Sequence, residues 1–138
     1  MELSPLLNAV TGEIIGAAIE VHRYFGPGLF ESTYVPCLQQ ELKARGLSYE
    51  AQSPVPLIYK GLKLDASYRI DLIVERDVIV ELKAIDQLLP VHESQVLTYL
   101  RLTDCPVGLL INFNVPRLVD GVKRLVNTRR RGMGLEPR

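Results

Sequence analysis

Asp71 and the tripeptide Glu81-Leu82-Lys83 sit on two consecutive apolar segments, residues 68–75 and 78–84. Both segments have the composition of β-strands, and only Arg76-Asp77 lies between them. Charged side chains are rarely carried into a sheet unless they are paired or hold a cation. Strand alternation puts Asp71, Ile73 and Glu75 on one face and Ile70, Leu72 and Val74 on the other. In the second segment Ile79, Glu81 and Lys83 share a face opposite Val78, Val80 and Leu82. The purely apolar faces belong against a core.

The turn decides whether the two acids meet. A two-residue loop at Arg76-Asp77 sets Asp71 against Leu82, on the wrong face. A three-residue connection, Glu75-Arg76-Asp77, sets Asp71 against Glu81. An odd-length turn or a bulge is therefore expected here. With that register Asp71, Glu81 and the backbone carbonyl of Leu82 offer three hard oxygen ligands suited to Mg²⁺ or Mn²⁺. Such an ion activates water and stabilises charge on a phosphate, and the Lys83 ammonium would hold the water and offset further charge. A surface hairpin with a Glu–Lys pair on its wet face fits the same short pattern.

The remaining chain reads as helices around this strand pair. Residues 11–25 have helical spacing, with Thr11 as N-cap and Gly26-Pro27-Gly28 as the stop. A second helix is expected over 30–45, closed by Gly46. Pro36 predicts a kink near Ser32, or a helix that starts close to Pro36 itself. Residues 55–59 read as a strand, followed by a turn at Lys60-Gly61 and further pairing over 62–64. Residues 90–102 read as a helix and 107–113 as a buried strand. Residues 115–127 suit either a short helix or an edge strand, and those after Thr128 read as a loose tail. The order α, α, β, β, β, α, β gives an α/β or α+β domain over 1–138, a central mixed sheet flanked by helices.

Bulk properties narrow the function classes. No apolar run reaches the length of a membrane span, and residues 1–5 lack a signal-peptide pattern. Cys37 and Cys105 stand alone, which excludes a four-cysteine cluster and suits a reducing cytoplasm. The net charge of zero is unevenly spread: residues 117–138 carry seven Lys/Arg against two acids, so the rest of the chain is net acidic. That tail is either a solvated end or a phosphate contact. A neutral total argues against coating nucleic acid by charge alone.

Three further groups belong to the pattern. Gln95 and Tyr99 share a helix face at i and i+4, where an amide and a phenol can bind a phosphate backbone. His92 lies one turn earlier and faces the same way. Glu31 and Tyr34 follow Gly28 at the start of the second helix. In isolation, Tyr99 reads first as a half-buried core residue, Glu31 as a carboxylate near a helix N-terminus, and His22 and His92 as structural histidines.

Taken together, Gly28-x-x-Glu31-x-x-Tyr34, Tyr68-Arg69-Ile70-Asp71, Glu81-Leu82-Lys83, Leu89-Pro90-Val91-His92-Glu93 and residues 108–114 resemble the PD-(D/E)xK nuclease superfamily. More closely, they resemble its small bacterial GxxExxY group, over residues 12–127. The resemblance implies a restriction-endonuclease-like αβββαβ core. It implies metal-dependent cleavage of nucleic acid, DNA rather than RNA, with Asp71, Glu81 and Leu82 at Mg²⁺ or Mn²⁺, Glu31 assisting the metal, and Lys83 catalytic. Gln95 and Tyr99 correspond to the Gln-x-x-x-Tyr motif of the RecB-like branch, as substrate-binding residues beside His92. That branch often carries an iron–sulfur cluster; two cysteines imply none here. Ile70 stands where the superfamily usually has proline, and Pro36 puts the placement of Glu31 in question. A silent nucleic-acid-binding module and a protein-interaction domain are the competing readings. An exposed sheet edge in so small a chain leaves room for a homodimer.

Overall fold

The computed structural model describes residues 3–65 and 68–129. Helix α1 (Pro5–Phe25) starts at Ser4, whose side chain accepts from the Leu7 amide at 3.2 Å, with Pro5 in the first turn. The cap expected at Thr11 is thus wrong. Thr11 lies buried inside the helix, and its hydroxyl donates to the Asn8 carbonyl at 3.0 Å. Helix α2 (Glu31–Ala44) ends before Gly46, which takes the left-handed φ of 73° expected of it. The start at Pro36 is not observed. The helix runs through that proline, and Ser32, whose carbonyl loses its partner, is exposed to water.

Among the described residues seven strands follow: β1 (Tyr49–Pro54), β2 (Leu57–Tyr59), β3 (Leu62–Leu64), β4 (Arg69–Val74), β5 (Val78–Lys83), β6 (Val107–Asn112) and β7 (Val122–Val126). Helix α3 (Pro90–Thr103) connects β5 to β6. The main sheet has the order β1-β4-β5-β6-β7, parallel only between β5 and β6. Strands β2 and β3 form a separate hairpin. The strand expected at 55–59 is present over 57–59 and turns at Lys60-Gly61 to pair with 62–64 as expected. This hairpin stands outside the main sheet, whose edge beside β4 is taken by β1, which was not expected. Residues of β1 are mostly exposed, and Gln52 has a φ of 55°, so the period-two signal is lost there. The undecided segment 115–127 holds a short 3-10 turn, Leu118–Gly121, and the edge strand β7.

Three helices and a mixed five-stranded sheet fit the α/β restriction-endonuclease-like class. Helices α1 and α2 bury Ile14, Leu38 and Leu42 against Leu72, Val80 and Leu82 on one face. Helix α3 buries Val96 and Leu100 against Ile79 and Leu110 on the other. Strands β5 and β6 are covered on both sides, which explains the continuous apolar run of β6. Among the described residues no helix is long and apolar enough to cross a membrane. The basic tail over 130–138 lies outside the described residues.

Gly108 sets how closely α3 approaches β6. A Cβ there would stand 2.7 Å from Cγ1 of Val96, a stiff β-branched side chain. Gly108→Ala is expected to push α3 outward and lower stability by about 1–3 kcal/mol. Urea unfolding measures this, and an unchanged midpoint would show that the helix can shift freely.

Candidate active site

The β4–β5 turn is the three-residue connection. Glu75 and Arg76 both have positive φ, 51° and 66°, and the Asp77 amide donates to the Val74 carbonyl at 3.2 Å. A left-handed glutamate is unusual and needs support from its surroundings. Ser48 supplies it. Its amide and hydroxyl donate to the Glu75 carboxylate at 2.7 and 2.6 Å, and its carbonyl accepts from the Glu75 amide at 2.9 Å. These bonds hold the Glu75 carboxyl below its ordinary pKa. The register that results is Val74↔Val78, Ile73↔Ile79 and Leu72↔Val80, which carries on to Asp71 opposite Glu81.

Beyond Leu72↔Val80 the backbone ladder stops, and a side chain takes over. The Leu82 amide donates to Oδ2 of Asp71 at 2.9 Å. The next residue, Lys83, turns its carbonyl to the other neighbour, accepting from the Phe113 amide at 2.8 Å. Backbone groups of successive strand residues point to opposite neighbours, so the Leu82 carbonyl is directed toward β4 and Asp71. Two carboxylates and one carbonyl are thus aimed at the gap where β4 and β5 part.

Glu81 is 5% exposed, so its side chain does not lie on a wet hairpin face. Burial pushes its pKa up to about 9, helped by the adjoining Asp71 carboxyl and opposed by the Lys83 ammonium. Lys83 is half-buried at the end of β5. Burial also raises the pKa of Glu31; Lys83 lowers it and Asp71 raises it, which places Glu31 within electrostatic reach of both. Glu31 and Asp71 line one open cleft with Phe30 and Gln52. Among the described residues no three acidic, histidine or cysteine side chains close into a metal cage. Asp71 and Glu81 form the close pair, with Glu31 set further out.

Helix α3 brings Tyr99 to the same place. Its hydroxyl is pushed up to about 12, by burial first and then by Glu81, Tyr68 and Asp71. Gln95 is half-buried one turn earlier on that helix. His92 caps the helix start: its Nδ1 accepts from the Leu89 amide at 2.8 Å. That bond uses the ring nitrogen without a proton and leaves Nε2–H as a donor. His22 is structural, with Nε2 2.8 Å from the Val115 carbonyl.

A family model for the PD-(D/E)XK nuclease superfamily matches residues 8–125. The chain belongs to that superfamily. The match runs from α1 into β7, so Glu31, Asp71, Glu81, Leu82, Lys83, His92, Gln95 and Tyr99 all fall within it. No curated protein and no solved structure matches the chain significantly.

Some residues shape this candidate site in ways that their sequence pattern does not reveal. Tyr34, the last residue of Gly28-x-x-Glu31-x-x-Tyr34, is a clamp. Its hydroxyl donates to the Gly26 carbonyl at 2.6 Å and accepts from the Leu29 amide at 3.2 Å, while its ring stacks on Phe113 at 4.5 Å. Gly28, between those two anchors, has a φ of 102°, a conformation suited to glycine. The clamp fixes the loop that delivers Glu31. Asn112 similarly holds the exit of β5, bonding both the amide and the carbonyl of Ile85 at 3.1 and 2.9 Å.

Tyr34→Phe keeps the stack and deletes both hydrogen bonds. The expected result is a stability loss of about 1–2 kcal/mol and faster hydrogen exchange at the Leu29 amide. Unchanged exchange at Leu29 would show that the loop holds itself.

Proposed function

We propose that this chain is a metal-dependent nuclease of the GxxExxY type that hydrolyses phosphodiester bonds, DNA before RNA. The observation that carries the reading is the Asp71–Glu81 pair at the mouth of the β4–β5 gap, with Asp71 anchored on the Leu82 amide.

The donor set fits a hard divalent cation. Two carboxyls are held together where one retains its proton near neutral pH, and a cation can replace that proton. The Leu82 carbonyl is a third oxygen of the right type for Mg²⁺ or Mn²⁺, and Glu31 can contribute through water. When bound, such an ion supplies Lewis-acid polarisation of a phosphate oxygen.

The chain's own residues do the rest. Lys83 lies within electrostatic reach of both the Glu31 and Glu81 carboxyls, where its ammonium can orient the attacking water and offset charge on the phosphate. Tyr99 keeps its proton throughout the working pH range and serves as a hydrogen-bond donor. Gln95 and the Nε2–H of His92 extend that donor row along α3. The spacing of Gly28, Glu31 and Tyr34, joined by the clamp, supports the GxxExxY assignment. Cleavage of labelled oligonucleotides in Mn²⁺, with Mn²⁺ binding followed by calorimetry, tests the reading. Activity that is indifferent to metal removal would refute it.

A further inference from the structure

Two exposed aromatic residues stand at the starts of α2 and β4, the elements that carry Glu31 and Asp71, and neither belongs to a core cluster. Phe30 is 82% exposed and lines the cleft of about 660 Å³ that contains Glu31 and Asp71. It is the N-cap residue of α2, yet its side chain makes no capping bond. Tyr68 is 48% exposed, stands just before β4, and is close enough to Tyr99 to raise the pKa of that phenol. Phe30 thus stands at the start of α2 in one cleft with Glu31 and Asp71, and Tyr68 stands at the entry to β4, the strand that carries Asp71, within electrostatic reach of Tyr99 on α3. An isolated exposed aromatic needs no explanation, but two beside one polar site do.

We propose that Phe30 and Tyr68 are base-stacking platforms, and that the substrate is a single-stranded polynucleotide threaded across the Asp71–Glu81 gap. The inference rests on the nuclease reading and names its substrate class. Charge favours it over a duplex. Duplex binding draws mainly on many phosphate contacts from Lys and Arg. Residues 1–116, which hold this whole site, carry nine Lys/Arg against fourteen Asp/Glu. Single strands are instead held by stacking on aromatic faces, a term that every base can supply and that tolerates few phosphate contacts. Stacked bases are also unavailable inside a duplex, so rings placed beside the cutting site select for unpaired strands.

The test is fluorescence anisotropy on full-length protein in Mn²⁺, in a Lys83→Ala background so that the probes stay intact. The probes are one labelled sequence of about 12 nucleotides, matched to the usual span of such sites, as single-stranded DNA, single-stranded RNA and duplex DNA. Single strands are expected to bind at least about ten-fold tighter than the duplex, and the DNA and RNA arms say which sugar is preferred. Phe30→Ala and Tyr68→Ala should each weaken that binding about five-fold or more, while Phe30→Trp retains it. Phe30→Leu is the second variant if Phe30→Ala does not fold; it keeps an apolar side chain but loses the aromatic face, and the same weakening is expected.

Equal or tighter duplex binding overturns the proposal. So does a change in solution mass in these variants with no change in oligonucleotide affinity, which would assign the rings to a protein interface. The two readings fail separately. Metal-dependent, Lys83-dependent cutting of duplex DNA with Phe30 and Tyr68 dispensable sinks the stacking proposal alone. Single-strand binding that needs both rings, with no cleavage by the wild-type chain under any divalent metal, sinks the nuclease reading alone.

Discussion

Lys83→Ala should abolish cleavage by about 100- to 1,000-fold while leaving Mn²⁺ binding intact or slightly tighter. The size follows from what a single preorganised donor contributes to charge stabilisation in a dry site. The unchanged metal affinity follows from electrostatics: Lys83 favours the ionised forms of Glu31 and Glu81 but also repels a cation placed between them. Asp71→Asn should behave differently. Its side-chain oxygen can still accept from the Leu82 amide, so the gap keeps its shape, but one negative ligand is gone. Residues that merely support a metal ligand cost about 10- to 100-fold in affinity or activity when lost. Losing a direct ligand should therefore cost at least about 100-fold in both Mn²⁺ affinity and cleavage. Calorimetry beside a single-turnover assay separates the two patterns. Equal loss of metal binding in Lys83→Ala and Asp71→Asn would show that Lys83 builds the site instead of acting in the reaction.

The second large effect is on stability. Glu81 titrates near 4.5 in the unfolded chain and near 9 in the metal-free fold. Between those values the folded state holds one proton more than the unfolded state. Stability therefore falls as pH rises across that interval and stops falling near pH 9. The slope approaches about 1.4 kcal/mol per pH unit at most. Glu31, also raised, adds to the fall just above its ordinary range, whereas the lowered Glu75 acts only on the acid side. Comparison with Glu81→Gln isolates the buried group: urea unfolding with a chelator at pH 6 and pH 8 should show a steep loss in wild type and a shallow one in the variant. Mn²⁺ displaces the proton, so its stabilising effect should grow with pH. An identical slope in Glu81→Gln would mean that Glu81 is already ionised in the fold.

The meeting of Asp71 and Glu81 was legible because it reduces to counting. The length of Glu75-Arg76-Asp77 fixes the register Val74↔Val78, Ile73↔Ile79 and Leu72↔Val80, which continued sets Asp71 against Glu81. Strict alternation does not extend that far, because Ile70 packs with the α3 cluster while Leu72 and Val74 pack against α1 and α2. Helix α3 and strand β6 were equally plain, one from helical spacing and the other from an unbroken apolar run. Strand β1 was not, because an edge strand that is mostly exposed, holds a left-handed Gln52 and ends in Pro54 carries neither alternation nor apolar content. The start of α1 lies before Thr11 because the Ser4-Pro5 signal caps the helix there, and Leu7 and Val10 already carry its apolar stripe ahead of Thr11. Pro36 suggested an interrupted α2, yet at an exposed first turn the missing hydrogen bond is left to water. The clamp at Tyr34 depends on where a phenol oxygen lands after the chain reverses at Gly26-Pro27-Gly28, which no periodicity encodes.

A crystal structure of the Mn²⁺-soaked protein, read by anomalous scattering, bears on the central claim most directly. An anomalous peak between the Asp71 and Glu81 carboxylates and the Leu82 carbonyl is the predicted result. No peak in that gap at saturating Mn²⁺, with the two carboxyls still sharing a proton, would contradict it.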